Sequence, residues 1–106
     1  MEKVRVLLAD DNQSVLRLLT DFFARKQDIQ LVDAVSDGAA IADAVREHAP
    51  EVLVMDIIMP RKDGFMVLEE LEHLDAALRP KVIVLTGLSR DDFILRAIRL
   101  GASYYM

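Results

Sequence analysis

The sequence predicts an α/β fold, in which a parallel sheet is covered by helices on both faces. Short apolar runs recur along the chain, segments with helical spacing lie between them, and turn-forming residues mark the junctions. Strands that alternate with helices pair in parallel through right-handed crossovers. We therefore expect a doubly wound sheet.

Four runs rich in Val, Ile and Leu are each too short for a helix and suit buried strands. They are Val4–Ala9, Ile29–Val35, Val52–Met55 and Val82–Leu85. A fifth strand begins within Ala102–Met106, where the sequence stops. We expect four complete strand–helix units, with the end of the last strand and the final helix missing.

The segments between the strands carry apolar residues at helical spacing, so each is expected to cover a face of the sheet. These residues are Val15, Leu16, Leu19, Phe22 and Phe23, then Ile41, Ala42 and Val45, then Val67, Leu68, Leu71 and Leu74, and finally Ile94, Ala97 and Ile98. Gly38 and Pro50 flank the second helix, Pro80 precedes the fourth strand and Gly101 ends the last helix.

Composition limits the class of protein. With 106 residues, 53% of them apolar, the chain suits one domain with one sizeable core. The net charge of -5 argues against a nucleic-acid-binding surface, and the absence of cysteine excludes disulfides and thiol chemistry. The apolar run after Met1–Lys3 is too short for a signal peptide or a membrane span. We therefore expect a cytoplasmic protein that contacts no membrane.

Acidic and hydroxyl residues follow three of the predicted strands. The first strand ends at Asp10-Asp11, the third at Asp56 and the fourth at Thr86-Gly87. If the first and third strands are neighbours, as in the flavodoxin-like order 2-1-3-4-5, their terminal carboxylates converge in one crevice. Carboxylates crowded without His or Cys favour a hard cation, and Mg²⁺ fits best. A backbone carbonyl from the loop after Asp56 would add a ligand.

A structural role competes with this interpretation. An Asp after a strand is also an ordinary helix N-cap, so Asp11-Asn12 alone would be expected to cap the first helix. Asp56 is different, because the next predicted helix begins several residues later. The combination of the three acids, not any one of them, indicates a metal site.

In these motifs the sequence resembles the receiver domains of bacterial two-component response regulators. Asp10-Asp11 is similar to the family's magnesium site, and Asp56–Gly64 to its phosphorylation segment, a D-x-x-M-P-x-x-D-G pattern. Thr86-Gly87 matches its switch hydroxyl followed by a small residue. Gly101–Tyr105 resembles the approach to its fifth strand. The motifs occur in the family's order and span the whole chain.

The resemblance implies a signalling role rather than an enzyme. Asp56 would accept a phosphoryl group from the phosphohistidine of a kinase or phosphotransfer protein. Asp10, Asp11, Asp56 and the backbone carbonyl of Ile58 would hold Mg²⁺. Residues 1–106 would form a receiver domain, incomplete at its C-terminal end, which controls an output domain outside this chain.

The resemblance also implies a conformational switch. Thr86 would turn toward the phosphoryl group, Gly87 would let a backbone N–H approach it closely, and Tyr105 would fill the space left by that shift. Each residue also has a plain structural explanation. Thr86 is a β-branched strand end, Gly87 a turn glycine and Tyr105 a strand aromatic.

The sequence departs from the family at its C-terminal end. Receivers carry a lysine after the fifth strand, and its place falls just beyond Met106. Without the final helix one sheet face would be exposed, which favours a fragment or, next, a homodimer that exchanges terminal elements. Within the family, two segments are similar to the sporulation-initiating transcription factors of endospore formers: Asp56–Gly64 followed by Phe65–Glu69, and Leu100–Met106.

Two other functions remain open at the level of sequence. Aspartyl-nucleophile phosphatases share a strand-end Asp and a need for magnesium, but they usually carry a second acid two residues later, where this chain has Ile58. A docking or dimerisation module that keeps the fold without phosphorylation is the other alternative. Magnesium binding would distinguish the receiver from such a module.

Overall fold

The computed structural model describes residues 3–56 and 63–85, together with the backbone of Tyr104 and Tyr105. Five parallel strands form one sheet in the order β2-β1-β3-β4-β5, which confirms the predicted flavodoxin-like order. The strands are β1 Val4–Ala9, β2 Ile29–Val35, β3 Val52–Met55, β4 Lys81–Val84 and β5 Tyr104–Tyr105. The reversal of strand order lies between β1 and β3, which are hydrogen-bonded neighbours.

Three helices are described: α1 Gln13–Ala24, α2 Ile41–His48 and α3 Gly64–Glu72. They confirm the first three predicted helices; the fourth, around Ile94–Ile98, lies outside the described residues. Asn12 caps α1 with a side-chain oxygen that accepts two backbone N–H groups of the first turn, and Asp63 caps α3 by accepting the N–H of Met66. None of these helices has both the length and the apolar character needed to cross a bilayer.

Alternation along the central strands divides the core between the two faces of the sheet. Leu7, Leu53 and Met55 pack with α2 and α3, whereas Leu8 and Val54 pack on the α1 side. Leu7, Leu8 and Leu53 are fully buried. Both faces of the central strands are covered, which explains why these strands consist of consecutive apolar residues.

The edge strand β2 contains a bulge. Leu31 pairs with Val6 and Asp33 with Leu7, so Val32 is an extra residue without a partner on β1. As a result Ile29 and Leu31 pack on the α1 side, whereas Val32 and Val35 pack against the α2–α3 core.

Asp33, just after the bulge, uses both carboxylate oxygens. Oδ1 accepts a hydrogen bond of 2.8 Å from the backbone N–H of Ala34, and Oδ2 lies 3.4 Å from Nε2 of His48 at the end of α2. The bulge thus turns Asp33 toward the helix that covers this edge of the sheet.

The connection from α2 to β3 is tight. Ala49 adopts a left-handed conformation (φ 46°, ψ 57°) and ends the helix, and Pro50, which is buried, follows. The guanidinium of Arg5 donates a hydrogen bond of 2.8 Å to the Ala49 carbonyl oxygen. This turn fixes the point at which β3 enters the sheet, and thereby the place of its last residue.

Candidate functional site

Two predicted site residues directly follow neighbouring strands and remain attached to the sheet. The backbone N–H of Asp10, after β1, donates to the carbonyl oxygen of Val35 on β2 at 3.1 Å. The backbone N–H of Asp56, after β3, donates to the carbonyl oxygen of Ala9 on β1, also at 3.1 Å. The hydrogen-bond ladder therefore continues one residue past each strand and sets the positions of both acids.

Three carboxylates meet at this edge of the sheet. Asp10, Asp11 and Asp56 each place a carboxylate oxygen within 4.8 Å of those of the other two. Asp10 is buried, Asp56 is half-buried and Asp11 is exposed. The predicted convergence is confirmed as geometry. Among residues 3–56 and 63–85, no other trio of His, Asp or Glu side chains forms such a group.

Asn12 resolves the competition between capping and metal binding. Its side-chain oxygen accepts hydrogen bonds from the backbone N–H groups of Ser14 (3.0 Å) and Val15 (3.2 Å), so the N-cap of α1 is Asn12 and not Asp11. The backbone N–H of Asn12 also donates to Oδ1 of Asp10 at 2.9 Å. Asp11 is left to contribute its carboxylate to the trio.

The trio is electrostatically strained. Burial raises the pKa of Asp10 above its ordinary value of 3.8, and the negative charges of Asp56 and Asp11 raise it further. The hydrogen bond from the Asn12 N–H works in the opposite direction, because it stabilises the charged form. A cation bound among the three acids would remove the repulsion, and an all-oxygen set suits a hard ion such as Mg²⁺.

The remaining predicted site residues are not described at the level of side chains. Ile58, Thr86 and Gly87 lie outside the described residues. The backbone of Tyr105 lies on β5, paired with Val84 of β4. β4 ends at Val84, one residue before the predicted end. The N–H of Leu85 nevertheless donates to the carbonyl oxygen of Met55 at 2.8 Å, so within the described residues the ladder reaches the residue before Thr86.

Comparison with known proteins defines the class. The sequence model of the response regulator receiver domain matches residues 6–106, and the chain belongs to this family. The fold resembles a signal receiver domain from Mycobacterium tuberculosis designated NarL, with a TM-score of 0.88 and 25% identity over 99% of this chain and 83% of that one.

Two further solved structures are similar. The response regulator domain of Thermotoga maritima CheB has a TM-score of 0.89 and 26% identity, covering 99% of this chain and 78% of that chain. The phosphorylated cyanobacterial phytochrome response regulator RcpA has a TM-score of 0.86 and 27% identity, covering 98% and 79%. Receiver domains are generally signalling modules of two-component systems, and their acidic cluster typically binds Mg²⁺. These neighbours do not support the narrower resemblance to sporulation factors.

Proposed function

We propose that the chain is a response-regulator receiver domain over residues 1–106, with Asp56 as its phosphoacceptor and Mg²⁺ held by Asp10, Asp11 and Asp56. The observation that carries the proposal is the convergence of three carboxylate oxygens within 4.8 Å at the sheet edge where strand order reverses. Crowded acids without a cation are unfavourable, which supports an ion as part of the working site.

The half-buried Asp56 is the acid best suited to be the nucleophile. Asp10 is buried and its Oδ1 already accepts the Asn12 N–H, whereas Asp11 is exposed and precedes the cap of α1. The next helix in the described residues, α3, begins only at Gly64 and is capped by Asp63 and not by Asp56. The backbone of Asp56 is held by Ala9, so the carboxylate is presented from a fixed strand end.

The proposed reaction is a transfer between two nucleophiles. A carboxylate oxygen of Asp56 attacks the phosphorus of a phosphohistidine, an O–P bond forms and the N–P bond breaks. The electron pair of that bond returns to the ring nitrogen of the donor, which leaves as neutral imidazole because its other ring nitrogen carries a proton. Asp10 and Asp11 would hold Mg²⁺ beside Asp56, and the ion would compensate the negative charge on the phosphoryl oxygens. The product is an aspartyl phosphate.

The finer roles rest on the family resemblance of the sequence. The Ile58 carbonyl would complete the magnesium ligands, Thr86 and Gly87 would contact the phosphoryl group, and Tyr105 would respond to the shift. The proposed phosphoryl donor is a histidine kinase or phosphotransfer protein. The chain is also proposed to form a homodimer, in which the two copies could exchange their C-terminal elements. We place the protein in the cytoplasm, acting on an output domain outside this chain.

The output domain is proposed to regulate transcription, and more specifically the start of sporulation. The sporulation role rests on the resemblance of Asp56–Gly64, Phe65–Glu69 and Leu100–Met106, whereas the broader transcriptional role is supported by membership of the response-regulator family. The net charge of -5 means that DNA contact would belong to another domain.

The test is intact-mass spectrometry after incubation with acetyl phosphate and MgCl₂. We expect one phosphoryl adduct on the wild-type chain, none on Asp56→Asn, and one on Asp75→Asn. Asp75 is a matched control because it is exposed and its side chain makes no capping hydrogen bond. Omission of magnesium should abolish the adduct.

Other outcomes would select the alternatives. A phosphoryl adduct on Asp56→Asn would show that a residue other than Asp56 is the acceptor. Magnesium binding without any adduct would favour the docking module. Continuous release of phosphate from small phosphate esters would favour a phosphatase.

A further inference from the structure

Asn12 is attached to the acidic trio and to α1 at the same time. Its N–H donates to Asp10 Oδ1 at 2.9 Å, and its side chain accepts from Ser14 and Val15 in the first turn of the helix. Its carbonyl oxygen accepts the N–H of Leu16 at 3.0 Å. Through these hydrogen bonds, Asn12 connects the Asp10 carboxylate to the start of α1.

The direction of the Asn12 N–H depends on the cap. Asn12 has extended backbone angles (φ -86°, ψ 110°), the usual conformation of an N-cap residue, and the side-chain bonds to the first turn hold it there. Because Asp10 Oδ1 accepts that N–H, the cap also determines the rotation of the Asp10 carboxylate. Leu16, the buried residue of α1, anchors the other end of this link in the core.

An orienting contact is needed at this position. Repulsion from the charges of Asp56 and Asp11 opposes the close approach of the buried Asp10 carboxylate, and the hydrogen bond from the Asn12 N–H acts against that repulsion. Groups that orient a metal ligand without touching the metal commonly matter for affinity. The Asn12 N–H fills that place for Asp10.

We propose that Asn12 is a positioning residue: by capping α1 it holds Asp10 in the orientation that brings its carboxylate oxygen to those of Asp11 and Asp56. The inference rests on the proposed function in that Asp10 is taken as a magnesium ligand. It adds that magnesium affinity depends on a side chain that does not touch the ion.

The test compares three variants by magnesium titration, followed through backbone amide shifts in NMR. Asn12→Ala removes the cap and should weaken magnesium binding by up to about tenfold. Asn12→Ser restores a capping oxygen without adding charge and should bind within about twofold of wild type. Leu19→Ala loosens the packing of α1 but leaves the cap intact, so it should lower stability with unchanged magnesium affinity.

A second readout uses the metal-free protein. A through-hydrogen-bond coupling between the Asn12 backbone nitrogen and the Asp10 Cγ carbon should be present in wild type and Asn12→Ser and lost in Asn12→Ala. A purely structural cap would change stability without changing this contact or the magnesium affinity.

The outcomes separate the two proposals. If Asn12→Ala binds magnesium as tightly as wild type, the positioning role is overturned but the magnesium site stands. The same holds if Asn12→Ala loses affinity and Asn12→Ser loses it equally. A wild-type chain that binds no magnesium overturns the site itself, and the positioning role with it.

Discussion

The backbone N–H of Asp56 donates a hydrogen bond of 3.1 Å to the carbonyl oxygen of Ala9, the residue immediately before Asp10. This bond fixes the spacing of two acids that are 46 positions apart in the sequence. The carboxylates cannot separate by moving their strands, because the ladder of β1 and β3 would break. Their mutual repulsion is therefore retained in the metal-free fold.

Removal of one charge should relieve that repulsion. Asp10→Asn is expected to raise the free energy of unfolding of the metal-free protein at neutral pH, because a neutral amide is buried more easily and still accepts the Asn12 N–H. Urea unfolding in the presence of a chelator measures the change. Asp75→Asn, exposed and remote from the strand ends that carry the trio, should have little effect; a loss of stability in Asp10→Asn would contradict this interpretation.

The advantage of Asp10→Asn should depend on pH. Burial and the neighbouring charges raise the pKa of Asp10 above 3.8, so the folded state holds this proton more tightly than the unfolded state. As the pH falls from neutral through the raised pKa, wild-type Asp10 becomes neutral and its penalty disappears. The difference in unfolding free energy between the two proteins should shrink toward pH 3.8. If the difference in unfolding free energy grew on acidification, the pKa of Asp10 would be lowered in the folded state and not raised.

Magnesium should stabilise the wild-type protein and not the variant. A ligand bound only by the folded state adds about 1.4 kcal/mol when its concentration is ten times its Kd. Thermal unfolding with and without MgCl₂ measures this gain, with NaCl of equal ionic strength as the control. The same increase in Asp10→Asn would show that magnesium acts elsewhere on the protein.

The central strand should be far less tolerant of truncation than the outer face of α1. Leu53 is fully buried on β3, so Leu53→Ala is expected to lower the free energy of unfolding by about 2–5 kcal/mol. Leu18→Ala removes the same atoms from a residue that is 69% exposed, and should change stability by less than about 0.5 kcal/mol. Equal effects in urea titrations would contradict the assigned faces.

The turn before β3 offers a stabilising substitution. Ala49 has φ 46°, a conformation that glycine adopts without steric cost, so Ala49→Gly should stabilise the protein by about 0.5–1 kcal/mol. Ala24→Gly, at the end of α1 in a helical conformation, should instead destabilise it. Thermal unfolding of both variants gives the comparison, and a lower midpoint for Ala49→Gly would rule out backbone strain at this turn.

Much of the fold could be predicted from apolar patterning, because the central strands are covered on both faces and appear as continuous runs. The ends of β4 could not be predicted in this way. The strand starts at Lys81, since pairing with Val52 depends on backbone groups and not on whether the side chain is apolar. The bulge at Val32 was also not predicted, because the adjacent apolar residues Leu31 and Val32 fit equally well a regular strand that is covered on both faces.

The acidic trio could be predicted because residues after neighbouring parallel strands meet at one edge. The contribution of Asn12 was missed, since the sequence indicates a helix cap but does not indicate that the same residue's N–H reaches Asp10. The roles of Ile58, Thr86, Gly87 and Tyr105 stay predictions, because none of their side chains belongs to the described structure.

Asp33 has a consequence for how these molecules behave at high concentration. Val35 gives its carbonyl to Asp10, so the preceding residue, Ala34, turns its N–H to the open side of the edge strand. The Asp33 carboxylate already accepts that N–H, and the adjacent bulge distorts the strand. An extended segment of another molecule would meet an occupied donor and a negative charge there, which protects this border of the sheet against aggregation by strand addition.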